Sequence, residues 1–237
     1  MIKKVAITVL FAFAAALAAV AQDKFYRINV GDFDELTVVD HLNVTYRCVP
    51  DSAGIVTFRV NPAHVSDLWV EKKNLKLKIQ NDGLEPDSIF TDITVYSTTL
   101  KSATNWGNAV LTVDTLPPLT QFKAKVIGNG SVVIDRIQAT QVNASVQAGN
   151  GRVYIAGKAH TASLQLMSAG SIEAGALAAS VVRCRMYGTG SIDCSPSEEL
   201  SVAGLTSGTD YYKGKDVKVV NRSIGAKIVC IDSDKKP

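Results

Sequence analysis

Two carboxylates, Glu173 and Asp193, are the side chains whose spacing could support chemistry. They occupy equivalent outward positions in two similar segments about 20 residues apart. If these segments stack as neighbouring strands, the two carboxylates lie about 5 Å from each other. Such a pair can carry out retaining glycoside hydrolysis or hold a cation. The alternative is that both are ordinary solvated acids that tolerate mild repulsion.

Aromatic side chains are the second group of candidate binding residues. Tyr154 occupies the same outward position one segment before Glu173, and Trp106 lies at a corner of the first segment. Exposed aromatic rings can stack on sugar rings or anchor protein partners. Tyr211 and Tyr212 are instead expected to pack over the end of the fold. The predicted ligand-binding residues are therefore Trp106, Tyr154, Glu173 and Asp193.

No catalytic motif accompanies these residues. The histidines His41, His64 and His160 are scattered and belong to no nucleophile or metalloprotease pattern. The formal charge of +3 includes two lysines of the N-terminal segment and falls to about +1 without them. Because nucleic-acid binding depends on clustered positive charge, no such partner is expected. We predict no catalytic residue, no cofactor and no metal.

Three of the four cysteines are predicted to be buried in the interior without forming disulfides. Cys184, Cys194 and Cys230 fall in inward positions, with Cys194 and Cys230 two segments apart. Two strand spacings amount to about 9.6 Å, which exceeds the span of a disulfide. We therefore expect small buried thiols without a disulfide, although a bridge to Cys48 stays open. No pair has the spacing of a metal site, so metal binding by the cysteines is not expected.

A glycine-containing repeat must position all of these residues. From Gly130, the second glycine of each copy recurs after 21, 19 and 20 residues. Apolar and polar residues alternate on both sides of each glycine, which is typical of two short strands with one buried face. The four clear copies are Gly128-Asn-Gly130-Ser-Val, Gly149-Asn-Gly151-Arg-Val, Ser168-Ala-Gly170-Ser-Ile and Gly188-Thr-Gly190-Ser-Ile.

This repeat predicts an all-β fold, a single-stranded β-helix (β-solenoid) with coils of about 20 residues. Stacked coils share one apolar interior, and glycine suits the corners because it tolerates positive φ. Val146, Leu166 and Met186 should then form one buried column. A β-sandwich with regular hairpins is the alternative architecture, and coil handedness and oligomeric state stay open.

The chain divides into three predicted parts. Residues 1–21 have two lysines, an apolar run and an Ala-Val-Ala site, which is typical of a cleaved signal peptide rather than a membrane anchor. Residues 22–100 alternate without a visible repeat and are predicted to be a β-rich N-terminal part or cap, with one short helix within 63–72. Residues 101–237 form the solenoid repeats.

The motifs resemble those of the head GIN domain proteins, exported bacterial proteins described as putative autotransporter adhesins. The likeness rests on Phe33-Asp-Glu-Leu-Thr-Val, Leu42-Asn-Val-Thr-Tyr, Asn74-Leu-Lys-Leu-Lys-Ile, the Gly-x-Gly coils and Gly208-Thr-Asp-Tyr-Tyr-Lys-Gly214. It covers about residues 25–230 and departs from the pattern at Ser168 and at the first coil near Gly107. The resemblance implies a bacterial cell-envelope setting in Bacteroidetes-like organisms, and its motifs are structural rather than catalytic.

The sequence as a whole indicates an exported, non-enzymatic, adhesin-like binding module. A rigid solenoid surface would be presented to a glycan or cell-surface protein, in the periplasm or on the outer surface of a Gram-negative bacterium. After signal cleavage the chain should not span a membrane. The alternatives are a β-helix carbohydrate-active enzyme and a structural envelope component.

Overall fold

The computed structural model describes residues 23–83, 89–214 and 216–231. The predicted signal peptide, residues 1–21, lies outside the described residues. Within the described part β-strands are the predominant secondary structure, which confirms the all-β solenoid prediction. None of the described helices is long and apolar enough to span a membrane.

The strands belong to one large curled sheet. In chain order they are β1 (Lys24–Asn29), β2 (Glu35–Asp40), β3 (Val44–Cys48), β4 (Ile55–Val60), β5 (Leu68–Lys73), β6 (Lys76–Asn81), β7 (Thr91–Ser97), β8 (Ser102–Gly107), β9 (Val110–Val113), β10 (Leu119–Val126), β11 (Ser131–Val146), β12 (Arg152–Leu166), β13 (Ser171–Met186), β14 (Ser191–Leu205), β15 (Thr209–Tyr212), β16 (Lys218–Ile224) and β17 (Lys227–Cys230). Short 3-10 helices span Pro50–Ser52 and Pro62–Asp67.

The coils of the C-terminal half stack in sequence order. Strands β10 to β14 pair in parallel, each with the corresponding segment of the next coil along the chain. Val146 pairs with Leu166, and Leu166 pairs with Met186; all three side chains are fully buried. The predicted column is therefore confirmed, and the repeat exists because each coil places an apolar residue above that of the previous coil.

The coils of the N-terminal half stack out of sequence order. Strand β2 lies between β6 and β8, and β3 lies between β7 and β9, all in parallel pairing. The first coil of the chain is thus inserted between the second and the third. This arrangement brings residues 67 positions apart into contact, as in the hydrogen bond from the Val110 N–H to the Asn43 side chain.

Antiparallel strands cover the N-terminal end of the stack. Strand β4 pairs with β7 and with β1, and β5 pairs with β6. These strands close an edge that would otherwise expose unpaired backbone groups. The short helix predicted within 63–72 corresponds to the 3-10 helix Pro62–Asp67, and β5 follows it from Leu68. In β5, Trp69-Val70 alternates in register with β6, and this pairing prevails over local helix propensity.

Glycines shape the corners of the coils, and asparagines join them in three successive coils, at Asn108, Asn129 and Asn150. Gly149 has φ of 71°, and a Cβ atom there would lie 2.5 Å from the Gly128 carbonyl oxygen. The middle residues of the glycine motifs form a hydrogen-bonded ladder. The Asn150 N–H donates to the Asn129 side chain at 2.9 Å, and the Asn129 N–H donates to the Asn108 side chain at 3.4 Å.

Candidate binding surfaces

The predicted acidic and aromatic residues lie in one outward column. Tyr154 pairs with Glu173, Glu173 pairs with Asp193, and Asp193 pairs with Tyr211. The register therefore brings together three of the four predicted site residues, as the repeat required. It also adds Tyr211, which was expected at the end of the fold, because β15 continues the same face for another coil.

Arg152 neutralises the first acid of this column. Its guanidinium donates to both Glu173 carboxylate oxygens, with Nε to Oε1 at 2.7 Å and Nη2 to Oε2 at 2.5 Å. The same guanidinium lies 5.8 Å from the centre of the Tyr154 ring. The bond to Glu173 raises the pKa of Arg152. Glu173 is thus engaged in an ion pair, an arrangement that sequence spacing alone did not indicate.

Asp193 has a different environment from Glu173. Burial raises the pKa of Asp193, the charge of Lys213 acts in the opposite direction, and the negative charge of Glu173 raises it further. One oxygen of Asp193 is buried without a hydrogen-bond partner among the described residues. The two acids are therefore unequal, but a carboxylate already bound by an arginine is poorly suited to act as a nucleophile or a cation ligand.

Trp106 does not join this column but begins a second outward feature, which we call the corner ladder. The ladder consists of residues at or just after the C-terminal ends of β8, β10, β11, β12, β13, β14 and β16, namely Trp106, Ile127, Gln147, Met167, Tyr187, Leu205 and Ile224. Backbone hydrogen bonds fix its register: the Ile127 N–H donates to the Asn105 carbonyl, and the Tyr187 N–H to the Leu166 carbonyl. At its far end Leu205 pairs directly with Ile224.

Most rungs of the corner ladder are large, apolar and exposed. Trp106 is 57% exposed and Ile224 is 71% exposed, and Met167, Tyr187 and Leu205 lie between these values or slightly below them. Seven rungs about 4.8 Å apart extend for about 29 Å. Gln147 is polar and Ile127 is only partly exposed, so the uninterrupted exposed apolar run consists of the last four rungs, from Met167 to Ile224. Single exposed apolar residues are common, but adjacent ones are typical of an interaction site.

A basic column runs beside the corner ladder. Seven of its residues stand two positions before the rungs and therefore point to the same side of the strands, and Thr37 and Lys78 continue the column beyond Thr104. In register along the stack, the outward residues are Lys78, Thr37, Thr104, Lys125, Ser145, Gln165, Arg185, Ala203 and Arg222. Among these described positions there is no carboxylate. Four of these nine positions carry Lys or Arg and the other five are neutral, so the column has a net positive charge.

The cysteines depart from prediction in two respects. Cys184 and Cys194 are buried as expected, but Cys230 is exposed because it lies on β17, the last strand of the stack. The sequence spacing of the cysteines indicated no metal-site pair, but the fold brings two of them close together in space. The sulfurs of Cys184 and Cys194 and a carboxylate oxygen of Asp210 all lie within 4.8 Å of one another. All four cysteines are free thiols in the described structure.

Asp210 is the residue that sequence reasoning missed. It pairs with Ile192 and faces the interior, and its side chain is fully buried. Burial raises the pKa of Asp210 to about 6, and hydrogen bonds from the thiols of Cys184 and Cys194 act in the opposite direction. The sequence repeat could have revealed this residue, because Asp210 is an acid at a position that is apolar in the earlier coils. The equivalent residues are Val132, Val153, Ile172 and Ile192.

Comparison with known proteins identifies one matching family and several solved structures. The family model described as "Putative auto-transporter adhesin, head GIN domain" matches residues 32–215. A putative adhesin from Bacteroides fragilis is 23% identical with a TM-score of 0.78, and one from Parabacteroides merdae is 18% identical with a TM-score of 0.71; each comparison covers 89% of this chain and 97% of the other. No curated protein sequence matches.

A third solved structure carries a different description. A putative lipid binding protein from Parabacteroides distasonis is 17% identical, with a TM-score of 0.64, and the match covers 89% of this chain and 97% of that one. At these identities the likeness of all three structures shows the fold alone.

Proposed function

The chain belongs to the head GIN domain family, and on this basis we propose that it is an exported, non-enzymatic binding module of the bacterial cell envelope. The family and two of the similar solved structures are described as putative adhesins and not as enzymes. The predicted location is the periplasm or the outer surface of a Gram-negative bacterium. The rigid stack of coils presents its surface to a partner without changing shape.

The corner ladder is the observation that carries this proposal. Burying an apolar side chain gains about 25 cal/mol for each Å² removed from water. Several adjacent rungs, such as Met167, Tyr187 and Leu205, can be covered together by one elongated partner. Such contacts are shallow and numerous, which suits adhesion by a rigid rod better than capture of a small molecule in a deep cavity.

The composition of the ladder favours a cell-surface protein over a glycan. Trp106 and Tyr187 can stack on sugar rings. The aliphatic rungs Leu205 and Ile224 offer no hydrogen bond to a hydroxyl group and fit an apolar protein ridge. The basic column beside them fits a partner with a carboxylate-rich flank. It also disfavours a second copy of this chain, because two such surfaces would repel each other.

A lipid surface is the second candidate partner. Tryptophan and tyrosine beside basic residues are typical of side chains that contact the headgroup region of a membrane. The similar structure from Parabacteroides distasonis, described as a putative lipid binding protein, agrees with this candidate. The column of Tyr154, Glu173 and Asp193 stays a further predicted ligand surface.

The carbohydrate-active enzyme alternative receives less support. The ion pair with Arg152 engages Glu173, so the predicted pair of carboxylates is not free for acid and nucleophile roles. A reducing-sugar assay on envelope polysaccharides tests this alternative. Turnover that disappears in Glu173→Gln or Asp193→Asn would establish an enzyme and overturn the proposal. A structural envelope component would show neither turnover nor ladder-dependent adhesion.

Adhesion to whole Gram-negative cells tests the function directly. The purified protein is compared with a Tyr187→Glu/Leu205→Glu double variant and with a control, Gln138→Glu, at an exposed position that belongs neither to the corner ladder nor to the column of Tyr154, Glu173 and Asp193. We expect the double variant to lose at least about 90% of the bound protein, since it places two charges in the apolar strip, whereas the control binds normally. Equal binding by all three proteins would refute a role for the corner ladder.

The same assay distinguishes the partner classes. Protease treatment of the cells removes a protein partner, and periodate treatment removes a glycan. Vesicles of phosphatidylglycerol and phosphatidylethanolamine, used in place of the cells, test binding to a lipid surface alone. We expect binding to be lost after protease treatment and retained after periodate treatment. Ladder-dependent binding to the vesicles would instead favour the lipid candidate.

A further inference from the structure

We propose that Cys184, Cys194 and Asp210 form an interior site for one thiophilic divalent cation of the zinc class. Cys184 lies near the end of β13 and Cys194 in the first part of β14, so the two face each other across one coil. Asp210 comes from β15, which is stacked directly on that part of β14. Three ligands from two successive coils thus converge on one point.

The ligand atoms have the spacing that such an ion requires. They all lie within 4.8 Å of one another, and the Cys194 sulfur lies 3.7 Å from an oxygen of Asp210. Around a tetrahedral zinc ion, with bonds of about 2.3 Å to sulfur and about 2.0 Å to oxygen, neighbouring ligands are about 3.3–3.8 Å apart. Movements of about 1 Å or less therefore suffice for coordination.

Asp210 supplies the independent observation that points to a cation. Its side chain is 0% exposed, and its second carboxylate oxygen has no hydrogen-bond partner among the described residues. Its neighbour in the column on one side is Ile192, and on the other side it is Ile228. A carboxylate in an apolar column is costly unless an opposite charge compensates it, and a bound cation provides that charge.

The proposed binding step involves no oxidation or reduction. Each cysteine thiol releases its proton to solvent, and each sulfur donates an electron pair to the ion together with the ionised Asp210. Two thiolates and one carboxylate leave a net charge of −1 with a divalent ion. The three protein ligands leave the fourth tetrahedral position for a water molecule.

The end of the stack provides a route to the interior. Strand β17 pairs with β15, and none of the described strands pairs with the opposite edge of β17. Terminal coils of repeat proteins open locally at a lower free-energy cost than internal coils. A cation can therefore reach Asp210 by transient opening of the last coil.

Cobalt titration of the reduced, chelator-treated protein tests the site. We expect one equivalent of Co²⁺ to produce thiolate-to-cobalt charge-transfer absorption, with release of about two protons. One equivalent of Zn²⁺ should displace the cobalt and raise the Tm. Cys194→Ala should abolish the absorption, and Asp210→Val should weaken affinity at least about tenfold. The controls Cys48→Ser and Cys230→Ser should behave as the parent protein.

The variants are chosen so that loss of folding does not imitate loss of binding. Ala174 pairs with Cys194 from the preceding coil, and Ile192 and Ile228 flank Asp210, so alanine and valine match their columns. Circular dichroism of both variants checks that they fold like the parent protein. No charge-transfer band in the parent protein, or an undiminished band in both variants, would overturn the proposal. So would a Cys184–Cys194 disulfide in the freshly isolated protein, detected by mass spectrometry as the loss of two hydrogen atoms.

Discussion

The two halves of the solenoid reach the same geometry by different routes. Coils from β10 onwards are stacked by the coils directly before and after them in the chain, as in the pairing of Val146 with Leu166. The first coil instead lies between strands that follow it much later, as in the pairing of Leu36 with Ala103. Both halves have a fully buried apolar interior. Stacking therefore depends on matched columns and not on the order of the coils along the chain.

The largest expected effects come from emptying one interior column in each half. Leu166→Ala and Leu36→Ala each remove a side chain that is at most 1% exposed. Each should lower the free energy of unfolding by about 2–5 kcal/mol, since both leave a cavity. Equilibrium urea denaturation measures both values. A loss below about 1 kcal/mol at either position would contradict equal burial in the two halves.

Folding kinetics sharpen the same comparison. Local contacts form before distant ones, because closing a long loop costs entropy. We expect Leu166→Ala to slow refolding and Leu36→Ala mainly to accelerate unfolding. Stopped-flow refolding of the two variants checks this order. Slower refolding of Leu36→Ala alone would place the interleaved coil in the folding nucleus.

The difference between the halves also explains what could be predicted from the sequence. The repeat is visible where spatial neighbours are near in sequence, so the column of Val146, Leu166 and Met186 was predicted correctly. The insertion of β2 between β6 and β8 leaves no periodic signal, because both partner strands lie several strands further along the chain. Alternation alone identifies a strand but not its neighbour.

The candidate sites were predictable to different extents. The outward column of Tyr154, Glu173 and Asp193 follows from the repeat, whereas the ion pair with Arg152 depends on a diagonal contact between coils. The corner ladder was missed apart from Trp106, because its rungs are chemically diverse and share only a position. Asp210 could have been recognised from the sequence, because it is an acid at a repeat position that is apolar in the earlier coils. Its contact with two thiols could not be predicted, because it depends on how opposite sides of the coil face each other across the interior.

A substitution at Asp210 has the next largest expected effect, in chelator-treated protein. The folded-state pKa of about 6 is raised from 3.8, so the native state favours the protonated acid. The stability of the parent protein should therefore fall as pH rises from about 4 to above 6, by about 3 kcal/mol. Asp210→Val should remove this loss. Urea denaturation from pH 4 to 8 measures the difference, and parallel pH profiles would contradict it.

A smaller effect is expected from the hydrogen-bonded ladder of Asn108, Asn129 and Asn150, which does not continue into the last coils of the stack. Asn129→Ala removes the oxygen that accepts the Asn150 N–H. We expect a loss of about 1 kcal/mol, because water can partly replace this exposed hydrogen bond. Thr189→Ala, at the equivalent position of a later coil, provides the control. An equal loss in the control would show that the ladder of asparagines itself contributes nothing.

The smallest expected effect concerns the ion pair between Arg152 and Glu173. Both side chains are substantially exposed, at 47% and 38%. Arg152→Ala should therefore change the free energy of unfolding by less than about 1 kcal/mol, and high salt should reduce the difference. Denaturation with and without added salt checks this. A loss as large as that of either interior leucine variant would indicate that the outward column contributes to folding.

The most direct test of the interleaved stack is a cross-link between β2 and β8. Thr37 and Thr104 are paired although five strands separate them along the chain, and neighbouring strands allow the Cα separation of a disulfide. In a background without the native cysteines, Thr37→Cys/Thr104→Cys should form a disulfide under mild oxidation, detected by peptide mass mapping. Thr37→Cys/Ser145→Cys, three strands apart at about 14 Å, should not. Absence of the first cross-link, or equal formation of the second, would contradict the stack described here.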